Sequence, residues 1–162
     1  MEDLLRSWEE QLRVYDLPEW DSLPELELYM DQVVLLLSRY LTFFSQGEEE
    51  KIITPSIVNN YVRMKVMPAP TKKRYSRIHI AYLLMICTLK QSLSIAVIRK
   101  LLPLELDEEQ VRVQYTRFVT IYRAAAAHFS QILQDAPANG QSLDVLPAGM
   151  AILSCLSKSL TD

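Results

Sequence analysis

Four polar side chains between residues 56 and 63 fall on a single helical face, and their types suit the reading of base edges. At about 100° per residue, Ser56, Asn59, Asn60 and Arg63 lie within roughly 100° of arc, while Ile57, Val58, Tyr61, Val62 and Met64 fill the other side. One face can anchor to a core while the other presents a hydroxyl, two amides and a guanidinium. In a major groove an asparagine can pair bidentately with adenine, an arginine with guanine and a serine with either. Asparagine in mid-helix is a poor helix former, so two in succession ask for a reason. A solvated polar face is the plainer account of any one such helix. It loses weight here because a Pro-flanked basic stretch, Thr71-Lys72-Lys73-Arg74-Tyr75, follows at once. Lys65, Lys72, Lys73, Arg74 and Arg77 are the residues expected to hold phosphates.

The charge is segregated along the chain. The 162 residues carry a net charge of −3. Residues 1–50 hold 13 acids and 3 bases, residues 51–104 hold 10 bases and no acid, and residues 105–162 hold 7 acids and 4 bases. A local field of this kind attracts polyanions even when the whole chain is slightly negative. The competing reading is that the bases complement the acidic first third within the fold.

The catalytic inventory is short. His79 and His128 are the two histidines, and neither stands at metal-ligand spacing with the other or with Cys87 or Cys155. No nucleophile elbow and no Gly-x-Gly phosphate cradle is present. The expectation is a protein that is not an enzyme and uses neither cofactor nor metal. Two cysteines in apolar surroundings point to a reduced, cytoplasmic protein. Early acids at Glu2, Asp3, Glu9 and Glu10 do not make a signal peptide. The best candidate for a bilayer span, Val33 to Phe44, is too short and contains Arg39.

The elements that must position these residues are helices. Leu4, Leu5, Trp8, Leu12 and Tyr15 predict an amphipathic helix near Asp3–Val14. Ser22 and Glu25 have capping-box spacing ahead of a long helix over about Pro24–Phe44. A loop follows at Gly47 and Glu48-Glu49-Glu50. Thr54-Pro55 opens the short polar-faced helix, which should end near Met64 or Lys65, since Pro68 and Pro70 forbid more. The basic stretch reads as the tip of a small hairpin. Ser76 caps a helix over about Arg77–Gln91, apolar almost all round and therefore central, and Ser94 caps another reaching Leu102. From Asp107 to Gln134, Val111, Tyr115, Phe118, Tyr122, Ala125, Phe129 and Ile132 step by 4, 3, 4, 3, 4, 3, a heptad seam. A break at Ala136–Gly140 precedes a last helix over Leu143–Leu160. The fold class is all-α with at most a tiny β-hairpin, organised as residues 1–104 and 105–162.

The run Val58-Asn59-Asn60-Tyr61-Val62-Arg63-Met64-Lys65-Val66-Met67-Pro68, then Arg74-Tyr75-Ser76, then Ser92-Leu93-Ser94-Ile95-Ala96-Val97-Ile98-Arg99-Lys100-Leu101-Leu102 resembles the MerR winged-helix pattern. In that pattern a recognition helix is followed by a basic wing, a buried helix and a Ser-Leu-x-x-Ile-x-x-Leu-Leu helix. The same block is similar to a group of uncharacterised Gram-positive bacterial proteins, a domain of unknown function related to MerR. The resemblance implies a helix-turn-helix core and a transcriptional regulator that binds double-stranded DNA. Asn59 and Asn60 depart from the arginine and aromatic usual there, Lys65 replaces the glycine ending the recognition helix, and the wing is short. A homodimer would form through the heptad seam at Val111, Tyr115, Phe118, Tyr122 and Phe129 and match two half-sites; packing within the chain explains the seam equally well. The rival to DNA binding is a protein-interaction module whose basic face docks an acidic partner.

Overall fold

The computed structural model describes residues 16–45 and 52–138. The helices expected at 3–14 and 143–160, the acidic loop at 48–50 and Cys155 lie outside the described residues. Within them the chain is all-helical, with five α-helices and no strand: α1 Met30–Tyr40, α2 Pro55–Arg63, α3 Arg77–Leu89, α4 Ile95–Leu101 and α5 Glu108–Ala138. Short 3-10 turns occur at Trp20–Ser22 and Thr42–Ser45. Two isolated antiparallel bridges, Leu28 with Tyr75 and Thr71 with Arg74, are the extended pairings.

One compact unit spans Leu17–Val119. Its centre is α3, where nine consecutive residues from His79 to Cys87 are buried, as an all-apolar helix demands. Burying each large aliphatic side chain contributes about 1.5–3 kcal/mol, so this one helix concentrates much of the unit's stabilisation. Around it α1 contributes Val33, Leu37 and Leu41, four residues apart, and packs against both α3 and α2. Leu17, Trp20 and Leu23 enter from the N-terminal side, and Ile98 and Leu102 from the α4 region. Tyr82, fully buried on α3, donates its hydroxyl to the Pro103 carbonyl and so ties the end of the α4 segment to the core.

Helix starts follow local chemistry in most places. Thr54 Oγ1 accepts from the Ile57 N–H at 3.2 Å, and Ser94 Oγ from the Val97 N–H at 3.4 Å. Asp107 and Gln110 form a reciprocal capping box, with the Gln110 N–H on Asp107 Oδ1 at 2.8 Å and the Asp107 N–H on Gln110 Oε1 at 3.0 Å. The long helix expected from Pro24 starts instead at Met30. The cause is tertiary: Leu28 exchanges two backbone hydrogen bonds with Tyr75, each 2.9 Å, which commits residue 28 to extended geometry. The cap accordingly moves to Tyr29, whose N–H donates to Gln32 Oε1 at 2.9 Å.

Helix α5 also differs from its heptad reading. Val111, Tyr115 and Val119, spaced by four, are buried within the Leu17–Val119 unit, and the Tyr115 hydroxyl donates to the Pro18 carbonyl at 2.8 Å while its ring meets Trp20. Val111 and Tyr115 are therefore core residues and not dimer contacts. A helix packed on a globular core follows the 3.6 period rather than the 3.5 seam, which brings Val119 inside where the seam had Phe118. α5 continues to Ala138, past the expected end at Gln134. Asp16 and residues 120–138 belong to a second unit, in which Asp16 receives a bidentate pair of contacts from Arg123, Nε at 2.8 Å and Nη2 at 2.7 Å. In that unit the Tyr122 hydroxyl is pushed up to about 12 by burial and by the Asp16 charge. No helix among the described residues is long and apolar enough to cross a membrane.

Candidate nucleic-acid interface

Helix α2 is anchored on one side and open on the other. Val58 and Tyr61 are buried, and burial also raises the Tyr61 hydroxyl above its ordinary range. Ser56, Asn59 and Arg63 are exposed and Asn60 half-buried. Together with Ile57, these four line a surface depression of ≈ 720 Å³. The polar face expected from the sequence is therefore assembled. Within it Arg63 Nη2 donates to Asn60 Oδ1 at 2.7 Å, so the guanidinium and one amide act as a pair.

The helix ends in a Schellman motif. The Val66 N–H bonds the Tyr61 carbonyl at 3.1 Å and the Lys65 N–H bonds the Val62 carbonyl at 3.0 Å, with Val66 and Tyr61 buried as the accompanying apolar contact. The motif requires a left-handed residue at Lys65, and Lys65 adopts φ 53°. A glycine is the usual occupant because a Cβ there costs about 1–2 kcal/mol. Lysine accepts the strain and presents its ammonium group to solvent at the end of the polar face.

The basic stretch forms a tight turn. The Arg74 N–H returns to the Thr71 carbonyl at 2.9 Å, and the two central residues, Lys72 and Lys73, have φ of 50° and 62°. Positive φ at both positions is the type I′ hairpin turn, which ordinarily takes Asn-Gly. The tip expected from the sequence is present as this single bridged turn. Tyr75, pairing with Leu28, ties its return arm to the N-terminal segment. Arg74 is steered by a residue 45 positions away: its Nη2 donates to the Tyr29 hydroxyl at 3.0 Å, and its guanidinium carbon lies 5.0 Å from the centre of the Tyr29 ring. Lys65, Lys72, Lys73 and Arg74 are all exposed. Among the described residues, no carboxylate engages any of these four; the ion pairs present there involve Arg77, Arg112 and Arg123 instead.

His79 clamps the base of the turn from both sides. Its Nδ1 accepts the Ser76 N–H at 3.0 Å, with the Ser76 hydroxyl 2.9 Å from the same nitrogen. A nitrogen that accepts carries no proton, so Nε2–H is the donor and reaches the Ala69 carbonyl at 3.2 Å. The neutral ring thus joins the outgoing arm at Ala69 to the return arm at Ser76, and Tyr75 packs edge-on against it. Burial lowers the His79 pKa, opposed by the Ala69 bond and the charge of Glu27.

Arg77, expected among the phosphate-holding residues, is not exposed with the other four. Its side chain is only 15% exposed. Nη2 donates to the Leu23 carbonyl at 3.0 Å, the guanidinium faces the Trp20 ring at 5.7 Å, and Glu25 approaches at 3.6 Å. Lying in the first turn of the buried helix, the residue is drawn inward to tie down the N-terminal segment. Tyr29 and His79, which position the turn, went unrecognised as such in the sequence. The Ser76-x-x-His79 spacing carried a faint capping-box signal for one, and nothing local marked the other. Cys87 is a buried hydrophobe whose thiol is pushed up to about 12 by burial, and no group of His, Cys, Asp and Glu among the described residues could hold a metal ion.

The pattern of the family described as Domain of unknown function (DUF1836) covers residues 18–124. No curated protein and no solved structure matches.

Proposed function

We infer the role of this chain, which belongs to the DUF1836 family, from its own residues: it binds double-stranded DNA as a transcriptional regulator, on a MerR-like winged-helix scaffold and without an enzymatic step. The observation that carries the reading is the polar face of α2, followed along the chain by four exposed cations that no carboxylate among the described residues neutralises. α2 enters the major groove with Ser56, Asn59, Asn60 and Arg63 toward base edges, and Lys65, Lys72, Lys73 and Arg74 hold phosphates on either side. The pairing of Tyr75 with Leu28 supports treating the turn as a wing, because it braces the turn from outside the helix-turn-helix. Such a regulator works in the cytoplasm, where its DNA is.

The test is a titration of the full chain against duplex DNA at several salt concentrations. Each neutralised phosphate contributes about −0.9 to the slope of log K against log salt, so four contacts give a slope of roughly −3 to −4. No binding to duplex at about 50 mM salt, where even non-specific complexes form, overturns the reading and leaves the basic face to an acidic protein partner.

A further inference from the structure

We propose that Arg63 is the specificity-determining residue of the interface and reads a guanine, with Asn60 acting as its positioning residue. The proposal deepens the DNA-binding reading and rests on it. Four polar groups on a helix face could divide base recognition among themselves in many ways, and the Arg63–Asn60 bond favours one of them. A bidentate contact from asparagine to adenine needs both ends of the amide, the oxygen accepting from N6 and the nitrogen donating to N7. Asn60 Oδ1 already accepts from Arg63 at 2.7 Å, which uses one of its two lone pairs and ties the orientation of the amide to Arg63 rather than to a base.

The bond serves Arg63. A guanidinium carries five N–H donors in a rigid planar fork, and only one is committed to Asn60. The remaining donors are left for a ligand, on a side chain that is exposed and lines the ≈ 720 Å³ depression. Holding one corner of the fork lowers the rotamer entropy lost when the free edge docks. The partner that matches two parallel donors in the major groove is guanine, through O6 and N7. Adenine sets a donor at the position of O6 and repels the fork. Arg63 has no carboxylate partner among the described residues, so no competing acceptor of that kind must be displaced. Asn59, exposed and one residue earlier, is left as the amide with both ends available.

The test is a selection of duplexes from a random library by the full chain, followed by atom-level substitution of the selected site. Wild type should enrich a motif with an invariant guanine. Replacing that base with 7-deazaguanine, which keeps pairing and loses the N7 acceptor, should weaken binding roughly 5- to 150-fold. Arg63→Met keeps the length of the side chain and removes every donor; it should bind the guanine and 7-deazaguanine duplexes alike. Asn60→Ala should lose most of the same ratio, whereas Asn60→Asp, which keeps an oxygen acceptor for Arg63, should retain it even if total affinity drops. Circular dichroism of each variant should match wild type, because the altered face lies opposite Val58 and Tyr61. A motif without an invariant guanine, or an Arg63→Met ratio equal to wild type, overturns the assignment of Arg63 while leaving DNA binding intact. An Asn60→Ala ratio equal to wild type overturns the positioning role. Failure to enrich or retain any duplex at low salt overturns the DNA-binding reading itself, and this proposal with it.

Discussion

Replacing Lys72-Lys73 with Asn-Gly should make the protein more stable and a weaker DNA binder at the same time. Both lysines sit at positive φ, 50° and 62°, and a left-handed residue with a Cβ costs roughly 1–2 kcal/mol. Asparagine tolerates the region better and glycine has no steric cost there, although glycine returns about 0.5–1 kcal/mol through the added freedom of the unfolded chain. The net gain is about 1–2 kcal/mol. Urea unfolding should show it as a rise in the midpoint of roughly 0.5–1 M with an unchanged slope, for a typical slope of about 2 kcal/mol per molar. The fold should survive, because the bond from Arg74 to the Thr71 carbonyl uses backbone alone and Asn-Gly is the preferred pair for the turn. Binding moves the other way: with two ammonium groups gone, the salt slope should shrink by roughly 1.8, at about 0.9 per lost phosphate contact. A variant that loses stability refutes the turn geometry. A variant that gains stability and keeps the wild-type slope refutes the phosphate contacts.

Three further expectations follow from the same contacts. Arg77→Met should cost about 2–3 kcal/mol in urea unfolding, since a hydrogen bond from a charged group contributes about 1.5–3 and the ion pair adds little with Glu25 88% exposed; a loss below about 0.5 kcal/mol removes the anchor role, as does any fall in the DNA salt slope. Because burial holds the His79 pKa below its ordinary value, the unfolded chain binds the proton first, so stability should be full above about pH 6.5 and decline as pH falls from there towards the folded pKa; His79→Gln should flatten that part of the profile relative to wild type, and an identical pair of profiles sinks the clamp. If α5 dimerises through the part of its seam that is only half-buried, charged substitutions at Phe118, Tyr122 and Phe129 should turn a dimer into a folded monomer in sedimentation; a monomeric wild type at high micromolar concentration ends that idea.

How much was legible depended on the range of each interaction. Thr54-Pro55 and the acidic start of α5 stated their helices within four residues, and the unbroken apolar run at the centre of α3 could only be a core helix. The polar face of α2 was legible for the same reason: helical geometry alone brings residues 56, 59, 60 and 63 together. The start of α1 was not. Ser22 and Glu25 offered a capping box, but Tyr75, far along the chain, held Leu28 extended and moved the helix start to Met30. Arg77 looked like one more member of a basic run until its side chain met Trp20 and the Leu23 carbonyl, both more than fifty residues earlier. The heptad seam misled at Val111 and Tyr115 because a stripe of large side chains looks the same whether its partner is another chain or the protein's own core.

Lys65, Lys72 and Lys73 connect stability to function. The described residues contain no glycine, yet the backbone turns through left-handed geometry at these three positions, and among the described residues they are the non-glycine residues that do so. Each is a place where glycine would cost less, by the Schellman motif at one and the type I′ turn at the other two. Strain held at particular positions is an observation from which function can be argued, not the reverse. Here the strained residues share more than their dihedral angles: all carry an ammonium group, and all are exposed. A left-handed backbone at the tip of a turn or the end of a helix points its side chain away from the body of the fold. Glycine there would relieve the chain and leave bare backbone, whereas lysine at the same three places exposes a charge to solvent. The stability forgone at these positions and the charge displayed by them therefore belong to one arrangement, which is why relieving the strain at Lys72 and Lys73 should weaken the grip on phosphate.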